Sequence, residues 1–229
     1  MKKRTLDIFV FNLNNKVFNE LTLNNKKLIK AIYPNVDDND VIVCQKYKGR
    51  KIDLSITVNQ KTHYLSFKRN ISFVVYKGDV KEIVSFLFSI GSSYNVIKAL
   101  LNLIYKRDIK CIESIGGILR DSYKDEVEVI NKEFEDKEKM IKLLNYYLLR
   151  ENRGLSVDYF LIGNEKNAII LDTNIIVESI LSDMNNTNNI KIGPFNLAVL
   201  SSRKDNECKC MLKISLSKYK KIIEKNLDY

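Results

Sequence analysis

The chain has 229 residues, 45% of them hydrophobic, enough to bury a sizeable core in one domain or in one domain with an elaboration. Its 38 Lys and Arg against 28 Asp and Glu leave a net charge of +10, which favours a polyanionic partner unless the lysines merely reflect AT-rich coding. A single histidine, His63, and four cysteines argue against a Ser-His-Asp triad, a His-rich metal centre, a His-Asn-His nuclease and a structural zinc cluster, and no phosphate-binding glycine motif occurs.

Residues 1–11 are basic and then apolar in a broken run, without a small-residue cleavage site; they predict a strand or helix start rather than a signal peptide. No stretch reaches the roughly 20 apolar residues of a membrane-spanning helix, so the expected location is the cytoplasm, away from the membrane. Asn14 to Ile32 predicts one helix or two short ones, ended by Pro34. Val36 to Asp40 is an acidic turn, Val41 to Tyr47 a strand, and Lys48 to Lys51 a turn.

Next comes a hairpin. Lys51 to Val58 and Tyr64 to Lys68 both alternate polar and apolar residues, as half-buried strands do. Asp53, Ser55 and Thr57 share one face of the first strand, and Tyr64, Ser66 and Lys68 share one face of the second. A two-residue turn at Gln60-Lys61 would pair Asn59 with Thr62 and set Asp53 directly across from Lys68, on the polar face. A carboxylate and an ammonium so placed are the minimal core of a metal-dependent nuclease: the Asp holds a divalent cation, and the Lys orients or deprotonates the attacking water. The plainer alternative is a cross-strand salt bridge on a solvated face.

Ile71 to Tyr76 is β-rich and predicts a continuation of that sheet. Asp79 to Ile90 and Ser93 to Tyr105 have helical apolar spacing, and Asp121 to Arg150 is a long charged helical stretch broken near Asp136. Strands follow at Val157 to Ile162 and Ala168 to Leu171, then a helix from Asn174 to Leu181 capped by Asp172 or Thr173, and a polar loop from Asp183 to Asn189. Leu197 to Leu200 and Cys208 to Ser215 form a late strand pair, and Leu216 to Leu227 a basic tail helix. The order is an α+β plan in a single domain, 1–229, with a helical insertion or subdomain at about 85–150.

The residues Lys51-Ile-Asp53 and Ser66-Phe-Lys68, with Val157 to Gly163 and Gly193 to Leu197, carry a resemblance. The chain is similar to restriction-endonuclease-like nucleases, in particular to uncharacterised bacterial members with a Lys-x-Asp, an alternating strand and a Ser-Ile-Lys segment. That resemblance implies a central mixed sheet flanked by helices and a helix followed by a hairpin bearing the catalytic residues. It also implies Mg²⁺- or Mn²⁺-dependent endonucleolytic cleavage of DNA, of restriction or defence type. Two departures stand out: Ser66 occupies the place of the second acid, and Tyr76-Lys-Gly78 stands where a His-x-Glu is expected.

On this reading the catalytic set is Asp53, Ser66 and Lys68. Asp79 or Glu82, at the start of the next helix, joins Asp53 as a migrated metal ligand, and Glu20 on the first helix serves in the outer shell. Arg50, Lys51 and Arg69 flank the hairpin face and would meet the DNA backbone. The ordinary roles are a helix cap for Asp79 and solvated helix faces for Glu20 and Glu82. Asp158 and Asp172 are accounted for as strand-edge and cap residues. The run Lys218 to Lys225 is either a phosphate-contacting helix or a plain basic surface. The alternative function is a degenerate nuclease fold serving as a DNA-binding or protein-interaction module, and a homodimer or a protein partner remains open.

Overall fold

A computed structural model describes residues 2–49, 51–105, 124–151, 154–164, 166–182, 191–201 and 208–217. Arg50, the loop 183–189 and the expected tail helix from residue 218 onward lie outside them. The class is α+β, with two sheets. The chain divides into two compact units: residues 1–71, 148–178 and 216–229 form the first, and residues 72–147 and 179–215 the second. The helical stretch expected as an insertion thus falls mostly in the second unit, together with strands from either side of it in sequence.

The first unit opens with α1 (Lys2–Leu13), a helix, and not with a strand. The segment from Asn14 to Ile32, expected as one helix or two short ones, is helical only from Leu23, apart from a 3₁₀ turn. Asn15 takes a left-handed φ of 55° and its N–H bonds to Ile42. Asn tolerates that conformation because its short polar side chain costs little there. The chain then runs through β1 (Lys16–Val17) and a 3₁₀ turn (Phe18–Glu20) before α2 (Leu23–Ile32), whose N-cap Thr22 accepts from the N–H of Asn25. β2 (Val41–Lys46), β3 (Leu54–Val58), β4 (Lys61–Lys68), β6 (Tyr159–Ile162) and β7 (Ile169–Asp172) complete a six-stranded mixed sheet in the order β1-β2-β3-β4-β6-β7. β4 lies antiparallel to β3 and parallel to β6.

One face of this sheet carries Ile42, Cys44, Leu54, Ile56, Leu65, Phe67, Leu161 and Ile170. They pack against Leu6, Phe9 and Leu13 of α1, and against Ile29 and Ile32 of α2. Burial pushes the Cys44 thiol up to about 12, which makes it an inert core residue. The opposite face is also closed to solvent at its centre: Ser66, Phe160 and Leu171, which pair across β4, β6 and β7, are 1%, 0% and 2% exposed.

The second unit has a four-stranded sheet in the order β5-β10-β9-β8, from β5 (Ser72–Asp79), β8 (Lys191–Ile192), β9 (Phe195–Ser201) and β10 (Cys208–Ser215). β5 was expected to extend the hairpin sheet; it pairs with β10 instead. The physical reason is that β4 already has β6 on its free side, so the first sheet offers no edge there. α3 (Val80–Ser89), α4 (Tyr94–Tyr105), α5 (Lys124–Glu133) and α6 (Lys137–Leu144) belong to this unit. The break near Asp136 falls where expected, and its carboxylate caps α6 by accepting from Glu138 and Lys139 N–H. α7 (Thr173–Ser182) begins after Asp172, which accepts from Asn174 N–H at 2.7 Å.

The hairpin turn sits one residue earlier than expected. Asn59 and Gln60 carry φ of 49° and 66°, so they are the two central residues of the β3–β4 turn, and Val58 pairs with Lys61. Left-handed φ at both positions is the geometry that favours Asn-Gly, and Gln60 pays a steric cost that glycine does not. Gln60→Gly should therefore raise stability by about 1 kcal/mol, read as a higher urea midpoint at unchanged m-value. A lower midpoint would mean that this turn is not left-handed.

Candidate functional site

The earlier turn shifts the hairpin register by two residues. Observed pairs are Leu54 with Leu65 and Ser55 with Tyr64; carried one residue past β3, the same register sets Asp53 against Ser66 and leaves Lys68 two residues further along. The expected direct Asp53–Lys68 pairing is therefore corrected. A slip of two preserves parity, so Tyr64, Ser66 and Lys68 still share a face. Asp53 itself stands just before β3, and its own N–H and C=O are taken by Leu65 and Tyr47. Its Oδ2 accepts the N–H of Phe67 at 2.9 Å. The carboxylate thus completes the backbone pairing where β3 has not yet begun.

Ser66 is buried, and its Oγ has no hydrogen-bond partner among the described residues. Lys68 is half-buried at the last position of β4, and Arg69 beyond it is exposed. Lys51 is half-buried, with its ammonium on the carbonyl of Arg150 at 2.6 Å. The hairpin end thus gathers Asp53, Ser66, Lys68, Lys51 and Arg69 in one unit. The other candidates lie elsewhere. Asp79 and Glu82 belong to the second unit. There Asp79 is the N-cap of α3, accepting from Lys81 N–H at 2.8 Å, and the Glu82 carboxylate lies 3.5 Å from the Tyr146 hydroxyl. Glu20 is exposed on the 3₁₀ turn, not on the first helix, because Asn15 ends the helical path before it.

Two features escaped the sequence reading. The first is Glu151, only 9% exposed. Its Oε2 accepts the N–H groups of Lys51 (2.7 Å) and Ile52 (3.3 Å), and it fills the space that a Cβ at Gly49 would need. Within the charged run Arg150-Glu151-Asn152-Arg153 nothing marked this acid as buried. The second is a pair 95 residues apart: Asp158 Oδ2 lies 3.2 Å from His63 Nδ1 and also accepts the N–H of Tyr64 at 2.9 Å. The imidazole sits between the rings of Tyr33 and Tyr159, at centroid distances of 5.2 and 5.3 Å. Burial pushes both phenols above their ordinary value, so they stay protonated, and Tyr33 shares its proton between the carbonyls of Ile56 and Lys61. This pair joins β4 to the start of β6 across the parallel crossover.

A hard divalent cation takes several carboxylate or carbonyl oxygens. The hairpin end supplies the Asp53 carboxylate, already holding a backbone N–H, the Ser66 hydroxyl and the Lys68 ammonium, and the Glu151 carboxylate lies on the adjoining Lys51 and Ile52 N–H groups. Among the described residues, no group of three or more His, Cys, Asp or Glu side chains is placed to hold a metal. Nor is any helix among the described residues long and apolar enough to cross a membrane. Comparison with protein-family models, with curated proteins and with solved structures found no match to this chain.

Because Asp53 satisfies the Phe67 N–H, Asp53→Ala should lower stability by about 1–2 kcal/mol even in the presence of chelator. Urea unfolding with excess EDTA measures it. An unchanged midpoint would show that this carboxylate has no structural task.

Proposed function

We propose that the protein is a nucleic-acid-binding module built on a restriction-endonuclease-like scaffold whose hydrolytic centre is incomplete. The observation that carries this is the collection of positive charge at one end of the first sheet. Lys46 pairs with Leu54 and Leu54 with Leu65, so the end of β2, the start of β3 and the end of β4 lie together. That topology assembles Lys46, Lys48, Lys51, Lys68 and Arg69 from segments that the sequence separates. Lys48 and Arg69 are exposed, whereas Lys46 is held by Asp7 of α1. Asp7, Asp53 and Glu151 lie at the same end, and the exposed Lys48 and Arg69 are the charges that would attract a phosphate backbone without reading its sequence.

The scaffold assignment is supported by the helix-then-hairpin order, the parallel return of β6 beside β4 and the mixed sheet with helices packed on it. The incomplete centre is supported by Ser66 in place of an acid and by the duties that already occupy Asp53 and Asp79. A second reading, a Mg²⁺- or Mn²⁺-dependent deoxyribonuclease, draws on the retention of Asp53 and Lys68 at one hairpin end. In it Asp53 would hold the metal and Lys68 would orient the water.

Fluorescence anisotropy with a mixed-sequence duplex distinguishes these. The affinity should fall linearly with salt on logarithmic axes, and Lys48→Ala with Arg69→Ala should reduce the slope by about two, one per lost phosphate contact. With Mn²⁺ the wild type should leave the duplex intact. Cleavage that is lost in Asp53→Ala would establish the second reading, and salt-independent or absent binding would remove the first.

A further inference from the structure

Between β2 and β3 the chain carries Lys48 and Lys51, and a buried acid, Glu151, touches Gly49, Lys51 and Ile52 there. Tyr47 N–H bonds to the carbonyl of Asp53 and closes the loop at its base. Inside it, Glu151 accepts the N–H groups of Lys51 and Ile52 through one oxygen, and the carbonyl of the preceding residue, Arg150, accepts from the Lys51 ammonium. Gly49 leaves the room that the Glu151 carboxylate occupies. The two sides of this latch lie about a hundred residues apart in sequence, so it ties Gly49, Lys51 and Ile52 to a distant segment of the chain.

We propose that Glu151 is a positioning residue for nucleic-acid binding: by its contacts with Gly49, Lys51 and Ile52 it holds the neighbouring Lys48 where it meets a phosphate backbone. This rests on the proposed binding function. It makes a prediction opposite in sign to simple electrostatics. Beside a polyanion, a carboxylate repels, so removing its charge ought to strengthen binding. If Glu151 acts through the loop's shape, removing its hydrogen bonds weakens binding even though the protein becomes more positive by one unit.

Three variants separate the effects, each measured against a mixed-sequence duplex over a salt series, with amide exchange at Lys51 and Ile52 read in parallel. Glu151→Ala should bind several-fold more weakly, with a salt slope lower by about one, and exchange at both amides should accelerate. Glu151→Gln, whose amide oxygen still accepts an N–H, should bind at least as well as the wild type. Gly49→Ala should reproduce the Glu151→Ala defect without changing any charge, because its methyl group displaces the carboxylate; it also serves if Glu151→Ala fails to fold. Equal or tighter binding by both Glu151→Ala and Gly49→Ala would overturn the proposal. A wild type without salt-dependent binding would instead defeat the binding function, while the exchange rates would still report whether Glu151 fixes the loop.

Discussion

Strand β4 is hydrogen-bonded on both sides, antiparallel to β3 and parallel to β6, and the first unit depends on that double pairing. It joins a local hairpin to a strand more than ninety residues later. It closes the edge that β5 would otherwise have used, and it buries Ser66 between Phe160 and the hairpin. Parallel pairing needs a crossover, and its closure entropy has to be recovered by contacts at the junction. Asp158 provides such contacts: it accepts from Tyr64 of β4, lies beside His63, and adjoins the strand that pairs with Leu65 and Phe67.

A common logic links three acids of this unit. Asp53, Glu151 and Asp158 each accept one or more backbone N–H groups of the hairpin or its entry loop. A carboxylate on a backbone N–H makes a stronger bond than a neutral acceptor would, and it relieves donors that burial would otherwise leave costly. Used in this way, these three carboxylates lie against the main chain, while Lys48 and Arg69 are exposed. The same feature gives the Asp53 carboxylate, which looks like part of a catalytic motif in sequence, a task in the backbone pairing.

Elements set by local chemistry were legible in the sequence. Asp79 was readable as a helix cap, the helical stretch was expected to break near Asp136 and α7 to be capped by Asp172 or Thr173, and the alternation of β3 and β4 announced the hairpin with its two faces. What failed depended on backbone states or distant partners. Asn15 and the Asn59-Gln60 turn adopt left-handed φ, which composition alone does not assign, so the helical segment was begun too early and the register was set two residues off. A β-rich run such as Ser72 to Asp79 has no signal for which sheet it joins. Glu151 and the His63–Asp158 pair act across about a hundred residues of chain, and a lone acid or histidine in a polar stretch looks the same whether it is buried or solvated.

The central claim is that the basic end of the first sheet meets a nucleic-acid backbone, and hydrogen–deuterium exchange of the whole chain with and without a saturating mixed-sequence duplex at low salt tests it most directly. Slowed exchange is expected in residues 46–53 and 68–71, with the strands of the second sheet unchanged. Protection confined to residues 72–147 or 179–215, or none anywhere, would contradict it.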